Sequence, residues 1–214
     1  MAEDTKHFAD PAPLGLGAFA LTTFLLSAHN AFGGGTVPLV AFLGFGLFYG
    51  GLAQFAAGML EFRNKNVFGA TAFSTYGAFW MGLSAFVILV LQGKVVAADV
   101  APSLAWILLA FAIFNTYMLM WASRVNLAVF AVFLTLEVTE ILLFVGNFNH
   151  NAAGSGLVAL GGYMGLVTAA VAWYTSAAGV VNGMSSHPVL PVGSPLWGDI
   201  PESVPAVKLA EAHA

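Results

Sequence analysis

The chain has 214 residues, of which 59% are hydrophobic and only 7% charged, with a mean hydropathy of +0.87. A soluble domain carries roughly 25% charged residues, so this sequence cannot cover a water-facing globule and reads as an all-α, polytopic membrane protein. The net charge of −4 without a basic patch excludes a nucleic-acid binder, and zero cysteines exclude disulfides and cysteine metal sites.

Residues 1–10 are polar and acidic and read as a solvated tail, without the basic start and short apolar run of a cleavable signal peptide. The transmembrane domain is expected over 11–182. Its first span begins DPAPLGLGAFALTTFLLSAHN. Asp10 is placed to cap the first free backbone N–H groups, and Pro11 and Pro13 suit a first turn, where those groups lack partners anyway. A first helix over about Pro13–Phe32 has no charged side chain and, at about 1.5 Å per residue, is long enough to cross the hydrocarbon core. Phe19, Thr22, Thr23 and Leu26 fall at i, i+3, i+4 and i+7, on one helix face. An aromatic ring beside two hydroxyls reads as one wall of a polar path.

Gly33-Gly34-Gly35 breaks that helix, and Pro38 opens a second, about Val37–Phe62, which a short loop at Arg63–Asn66 follows. The third span is predicted over Phe68–Gln92, and Gly93–Pro102 as a polar loop holding Lys94 and Asp99. The fourth runs about Ser103–Ala122 and the fifth about Leu127–Val145. Gly146–Ser155 is a loop by composition, and the sixth span covers about Gly156–Val181. The tail over 183–214 holds five of the nine prolines and reads as irregular. Six spans put both ends on one side. With the N-terminus inside, the inner segments hold Lys6, Arg63, Lys65, Arg124 and Lys208 against Lys94 outside, which predicts an N-in, C-in topology. Gly44, Gly46, Gly50, Gly51 and Gly58 in the second span, and Gly161, Gly162, Gly165, Ala169, Ala170 and Ala172 in the sixth, either let helices approach closely or leave room for a pore.

Polar groups inside the membrane carry the functional signal, because each is costly unless paired or used. Gln54 lies about seven residues before Glu61, roughly 10 Å above the inner end of its span. It serves either a helix–helix hydrogen bond or a passing solute. Phe19, Tyr76 and Leu136 fall near mid-depth on three helices that run the same way, where an apolar ring gates by dewetting; taken singly, each is also an ordinary packing residue. Glu137 and Glu140 sit mid-span, three residues apart on one face of the fifth helix. An ionised acid at mid-bilayer costs on the order of 3 kcal/mol on insertion scales, and no span holds a Lys or Arg to neutralise one. The pair is therefore a candidate for proton carriage or selectivity, or else bonds neighbouring helices. Glu61, followed by Arg63, reads as a membrane-surface ion pair. His7, His150, His187 and His213 fall in loops or tails, and His29 ends the first span. No metal-ligand spacing occurs within a helix and no nucleophile has a positioned base, so neither an enzyme nor a metal or cofactor is implied.

Taken together, several motifs resemble those of the acetate uptake transporter family, also called the succinate–acetate permease family. Its helix-opening hallmark, Asn-Pro-Ala-Pro-Leu-Gly-Leu, corresponds here to Asp10-Pro11-Ala12-Pro13-Leu14-Gly15-Leu16. His29-Asn30, FYGGLAQFAAGMLEF, FGATAFSTYGAFW, Gly146-Asn147 and the pattern around Tyr163–Asn182 also match. The resemblance covers about residues 10–182. It implies six-helix subunits in a homohexamer in the cell (plasma or inner) membrane, each with its own path for acetate and other small carboxylates. It implies a narrow constriction at Phe19, Tyr76 and Leu136, solute contacts at Thr22 and Gln54, and an influence of Glu61 and Ala172 on substrate choice. Two features depart from the pattern. Asp10 stands where Asn is usual, and Glu137 and Glu140 stand where bacterial members carry uncharged residues. Acids beside the path leave a second cargo open: ammonium, another cation or a neutral solute. A non-transporting membrane sensor is a third reading.

Overall fold

A computed structural model describes residues 9–197; the expectations for Lys6, His7, Lys208, His213 and the rest of 1–8 and 198–214 lie outside it. Six helices are long and apolar enough to cross a membrane, and no strand occurs among the described residues. The chain is a multi-pass membrane protein. Helix α1 spans Ala12–Phe32, and Asp10 serves its start as predicted, its Oδ1 accepting the Ala12 N–H at 2.9 Å. Gly33, at φ 79°, ends it and donates its N–H to the His29 carbonyl at 2.8 Å.

The second span is not the uniform helix expected from its sequence. It opens with a 3-10 turn at Leu39–Phe42, continues as α2 (Leu43–Leu47), widens into a π-helical turn at Phe48–Ala53, and finishes as α3 (Gln54–Arg63). Glycines at 44, 46, 50 and 51 weaken the α-helical preference of the segment. They also let two neighbours press in: a side chain at Gly50 would strike Thr22 of α1, and one at Gly51 would lie 2.5 Å from Met81. A tight turn with Lys65 at φ 58° leads to α4, Val67–Leu91, whose start Asn66 caps by accepting the Gly69 N–H at 3.0 Å.

Helix α5 runs Ala97–Ala122, six residues longer at its start than the loop reading of Gly93–Pro102 allowed. Pro102 sits inside the helix, in its second turn, close enough to the aqueous end for water to take up the carbonyl that proline leaves unbonded. Asp99 lies in the first turn, where a carboxylate complements the helix dipole. Helix α6 spans Leu127–Phe148, capped by Asn126 through the Val129 N–H, and so takes Gly146, Asn147 and Phe148 from the predicted loop. Helix α7 spans Gly156–Gly183. The chain after it is irregular as far as Trp197 and is pinned by Asn182, whose side chain bonds the backbone of Val189 and Leu190.

Packing arranges the spans as a ring. Helix α4 lies against the second span, that span against α1, α1 against α7, α7 against α6 and α6 against α5. The ring closes only loosely, because α5 and α4 touch little. Lipid supplies no hydrophobic drive for such contacts, so close backbone approach must. A side chain at Gly162 would run into the Ala31 backbone, one at Gly165 into Ser27, and one at Gly161 would reach within 2.7 Å of Leu143. None of the glycines predicted to serve packing or room for a pore lines the internal cavity described below.

Replacing Gly162 with Val therefore destabilises the bundle by about 1–3 kcal/mol through overpacking. Gly44→Ala, at a site with open space around it, does not. Thermal unfolding of the two variants in detergent checks the contrast.

Candidate functional site

A cavity of about 330 Å³ lies inside the ring. Its floor is at mid-span, where Phe19, Tyr76, Leu136 and Glu140 meet, and it extends to the end of the bundle bearing His29, Asn30, Asn147, Asn151 and Ala153. Its walls are the apolar halves of α4 and α5, among them Leu83, Val87, Leu104 and Ile107. On the far side of the floor the bundle is filled. Leu16, Phe73, Met118, Val132 and Phe133 are all buried there and form one apolar core with the floor residues. The path is thus open from one end and plugged toward the other.

The three residues expected at a constriction converge on this floor. The Phe19 and Tyr76 rings meet edge-on with centroids 5.7 Å apart, and Leu136 lines the same cavity. Trp80 is buried beside them, 6.5 Å from Phe19 by ring centroids. Phe79, Phe111 and Phe114 continue the aromatic collar around Tyr76. Most of this lining offers cargo no hydrogen bonds. The polar lining consists of Thr23, Ser27, Tyr76, Trp80, Thr139 and Glu140 and, toward the mouth, His29, Asn30, Asn147 and Asn151; of these the Thr23 hydroxyl, the Trp80 indole N–H and Glu140 Oε2 are buried with no partner among the described residues.

The α1 face predicted as one wall divides in the structure. Phe19, Thr23 and Leu26 line the cavity, whereas Thr22, fully buried, points at Gly50 and donates to the Ala18 carbonyl at 3.1 Å. Gln54 also lies outside the lining; it is 1% exposed, with its Oε1 unpartnered. Glu61 is not the surface residue expected. It is 1% exposed, packed against Gly69 at the start of α4 and away from the cavity. Ala172 is fully buried in the core with Leu16 and Phe19 and does not line the cavity either. The opening motif serves architecture. Gly15 leaves room for Phe73, and the Pro13 carbonyl accepts the Ser176 hydroxyl at 2.6 Å, tying α1 to α7.

The two mid-span acids have different surroundings. Glu140 is 4% exposed, lines the cavity, and has Oε1 3.2 Å from the Tyr76 hydroxyl. Glu137, half-buried on the outer side, accepts from Asn115 Nδ2 and from the Thr116 hydroxyl, both at 2.7 Å. Asn115 joins these environments. Its amide also donates to the Phe133 carbonyl at 3.0 Å, and its Oδ1 lies 3.0 Å from the Tyr76 hydroxyl. Sequence reasoning passed over this residue. The signal was present, because an amide in the middle of LLAFAIFNTYM is as costly as Gln54 unless it is bonded. Near the mouth, His29 Nδ1 lies 2.7 Å from the Val37 carbonyl and fastens the glycine turn to α1. Among the described residues no group of His, Asp or Glu has metal-binding geometry.

Comparison with known proteins matches residues 1–195 to the model of the GPR1/FUN34/yaaH family. The chain is 38% identical over 185 residues to the Ammonia transport outward protein 2 of Saccharomyces cerevisiae; the match covers 84% of this chain and 64% of the yeast protein. It is 38% identical over 186 residues to the Succinate-acetate/proton symporter SatP of Escherichia coli, covering 86% of this chain and 95% of SatP. Among solved structures it resembles that of the bacterial acetate channel SatP. The TM-score is 0.79 at 37% identity, over 87% of this chain and 100% of that one.

Asn115→Leu removes the shared partner of Tyr76 and Glu137 inside hydrocarbon. A loss of about 1–3 kcal/mol is expected, read as a lowered thermal midpoint in detergent.

Proposed function

This chain belongs to the GPR1/FUN34/yaaH family, and from that footing we propose that it carries acetate and other short carboxylates, succinate among them, across a cell membrane. The observation that carries the reading is the convergence of Phe19, Tyr76 and Leu136 on the floor of one cavity, with the unpartnered Thr23 and Trp80 donors beside them. A dry floor strips water from a solute, and donors around it replace the hydrogen bonds lost. In this reading Phe19, Tyr76 and Leu136 form the constriction. Thr22 and Gln54 act from one layer behind the lumen, through the packing of the second span. Glu61 and Ala172 tune substrate choice in the same indirect way.

The N-in, C-in topology, the plasma or inner membrane as location, the homohexamer and the absence of catalysis belong to this proposal. The charge bias around Arg63, Lys65 and Arg124 supports the orientation. With it, the cavity opens outward and its plug faces the cytoplasm, an arrangement suited to uptake. A second cargo, ammonium or another small cation, is favoured by one observation: among the described residues Glu140 is the only acid lining the cavity. The name of the yeast relative points the same way.

Liposomes containing the purified chain are expected to take up radiolabelled acetate saturably and in competition with unlabelled acetate; uptake that neither saturates nor competes overturns the proposal. A cation cargo would instead reverse the sign of the selectivity measured in a planar bilayer. Phe19→Ala, which widens the floor, should raise lactate uptake relative to acetate several-fold. Because the chain has no cysteine, a single one introduced at Ala153 is expected to react with an impermeant maleimide added outside intact cells, and one at Asn64 is not.

A further inference from the structure

We propose that Glu140 is a proton-holding charge filter for the cargo path, and that Asn115 is its positioning residue, acting through the Tyr76 hydroxyl. The inference rests on the carboxylate-permease reading and deepens it.

The geometry is a matter of counting protons. Asn115 donates through Nδ2 to two acceptors, the Phe133 carbonyl at 3.0 Å and Glu137 Oε2 at 2.7 Å. That fixes which way its amide points and leaves Oδ1, an acceptor, facing the Tyr76 hydroxyl oxygen at 3.0 Å. The same hydroxyl oxygen lies 3.2 Å from Glu140 Oε1. Tyr76 has one proton and two acceptors to reach. Both separations hold a hydrogen bond at once only when Glu140 supplies the second proton. Glu140 then donates to the Tyr76 oxygen, and Tyr76 donates to Asn115. With Glu140 ionised, Tyr76 must turn its O–H toward the carboxylate, and Asn115 Oδ1 is left facing a lone pair.

The acid is also aimed at the path. Glu140 is 4% exposed, lines the cavity floor, and keeps its second oxygen without a partner. Inside an apolar lumen an ionised carboxylate repels an anion strongly, because little solvent screens the pair. The neutral acid does not repel it, and its O–H holds Tyr76 in place beside Phe19. An anionic cargo therefore passes this point when a proton is already present, whereas a neutral solute of the same size is indifferent to it.

The other titratable groups near Glu140 are few. Tyr76 comes from α4, and α5 brings, farther off, Tyr117. On α6, Glu137 stands across the Asn115 amide, its Oε2 accepting from Asn115 and its Oε1 2.7 Å from the Thr116 hydroxyl, whose one proton the Ala112 carbonyl at 2.8 Å also faces. On α1, His29 lies at the opposite end of the cavity. Helix α7 carries no acid or base, and its two tyrosines, Tyr163 and Tyr174, are exposed.

The test uses the full chain in liposomes, with leak through protein-free liposomes subtracted. Wild-type acetate uptake, at constant acetate anion concentration, should rise several-fold under an inward proton gradient, while uptake of acetamide should not respond. Glu140→Gln keeps a donor toward Tyr76 without a titratable proton, so its acetate uptake, whatever its level, should lose the response to the gradient. A response equal to wild type overturns the proposal. An independent readout is the infrared carbonyl band of a neutral carboxylic acid. It should be present in wild type, vanish in Glu140→Gln, and shift in Asn115→Leu as Tyr76 loses its acceptor. Absence of a band assignable to Glu140 overturns the proposal, and an unshifted band in Asn115→Leu overturns the part given to Asn115. If wild type shows no saturable acetate uptake, the permease reading fails by itself, and the infrared band still decides whether Glu140 holds a proton.

Discussion

In hydrocarbon a polar group that finds no partner is a standing penalty, and Asn115 shows how the bundle turns that penalty into structure. One amide on α5 bonds the Phe133 backbone and Glu137 on α6 and meets the Tyr76 hydroxyl on α4. Elsewhere α4 and α5 touch little, so this knot is the main polar link across the seam where the ring closes. It also lies at the depth of the cavity floor. The interaction that holds the ring together there is the one that sets the Tyr76 hydroxyl against Glu140.

Around that link the architecture separates two jobs by residue size. Small residues are spent on contact between helices. Gly162 meets Ala31, Gly165 meets Ser27 and Gly50 meets Thr22, so that α1 sits close to both α7 and the second span. Large apolar and aromatic residues are spent on the lumen, where Phe19, Tyr76, Trp80 and Phe79 form a collar with very few hydrogen-bonding atoms. Close packing behind and bulk in front make the floor narrow without making the helices splay. The donors that face the lumen are few enough that each can matter to a cargo.

Much of this was legible from residues alone. The uncharged runs gave six spans, and Asp10 was correctly placed as a partner for the first free N–H of α1. The start of α5 lies inside the segment that Lys94 and Asp99 make read as a polar loop, because Asp99 suits a first helical turn and near an aqueous end the missing N–H of Pro102 costs little. The π turn left no trace in hydrophobic periodicity. The α1 face was half right: a stripe at i, i+3, i+4 and i+7 spans an arc wide enough for Thr23 to reach the lumen while Thr22 faces Gly50. The shared depth of Phe19, Tyr76 and Leu136 follows from their positions along three helices that run the same way, and the resemblance to a family adds that they form one constriction. The rule that singles out Gln54, the cost of an unbonded amide in hydrocarbon, applies equally to Asn115.

The π turn at Phe48–Ala53 has one more consequence. A turn of this kind absorbs a surplus residue, and one residue corresponds to about 100° of rotation in an α-helix. The segments above and below it are therefore out of phase, like two lengths of screw joined with a slipped thread. Gly46 and Gly51 look toward α4 while Gly50 looks toward α1, an arrangement that an unbroken α-helix would scramble. Deleting a single residue between Phe48 and Ala53 would restore a regular spiral and, by doing so, turn one end of the span to the wrong neighbours.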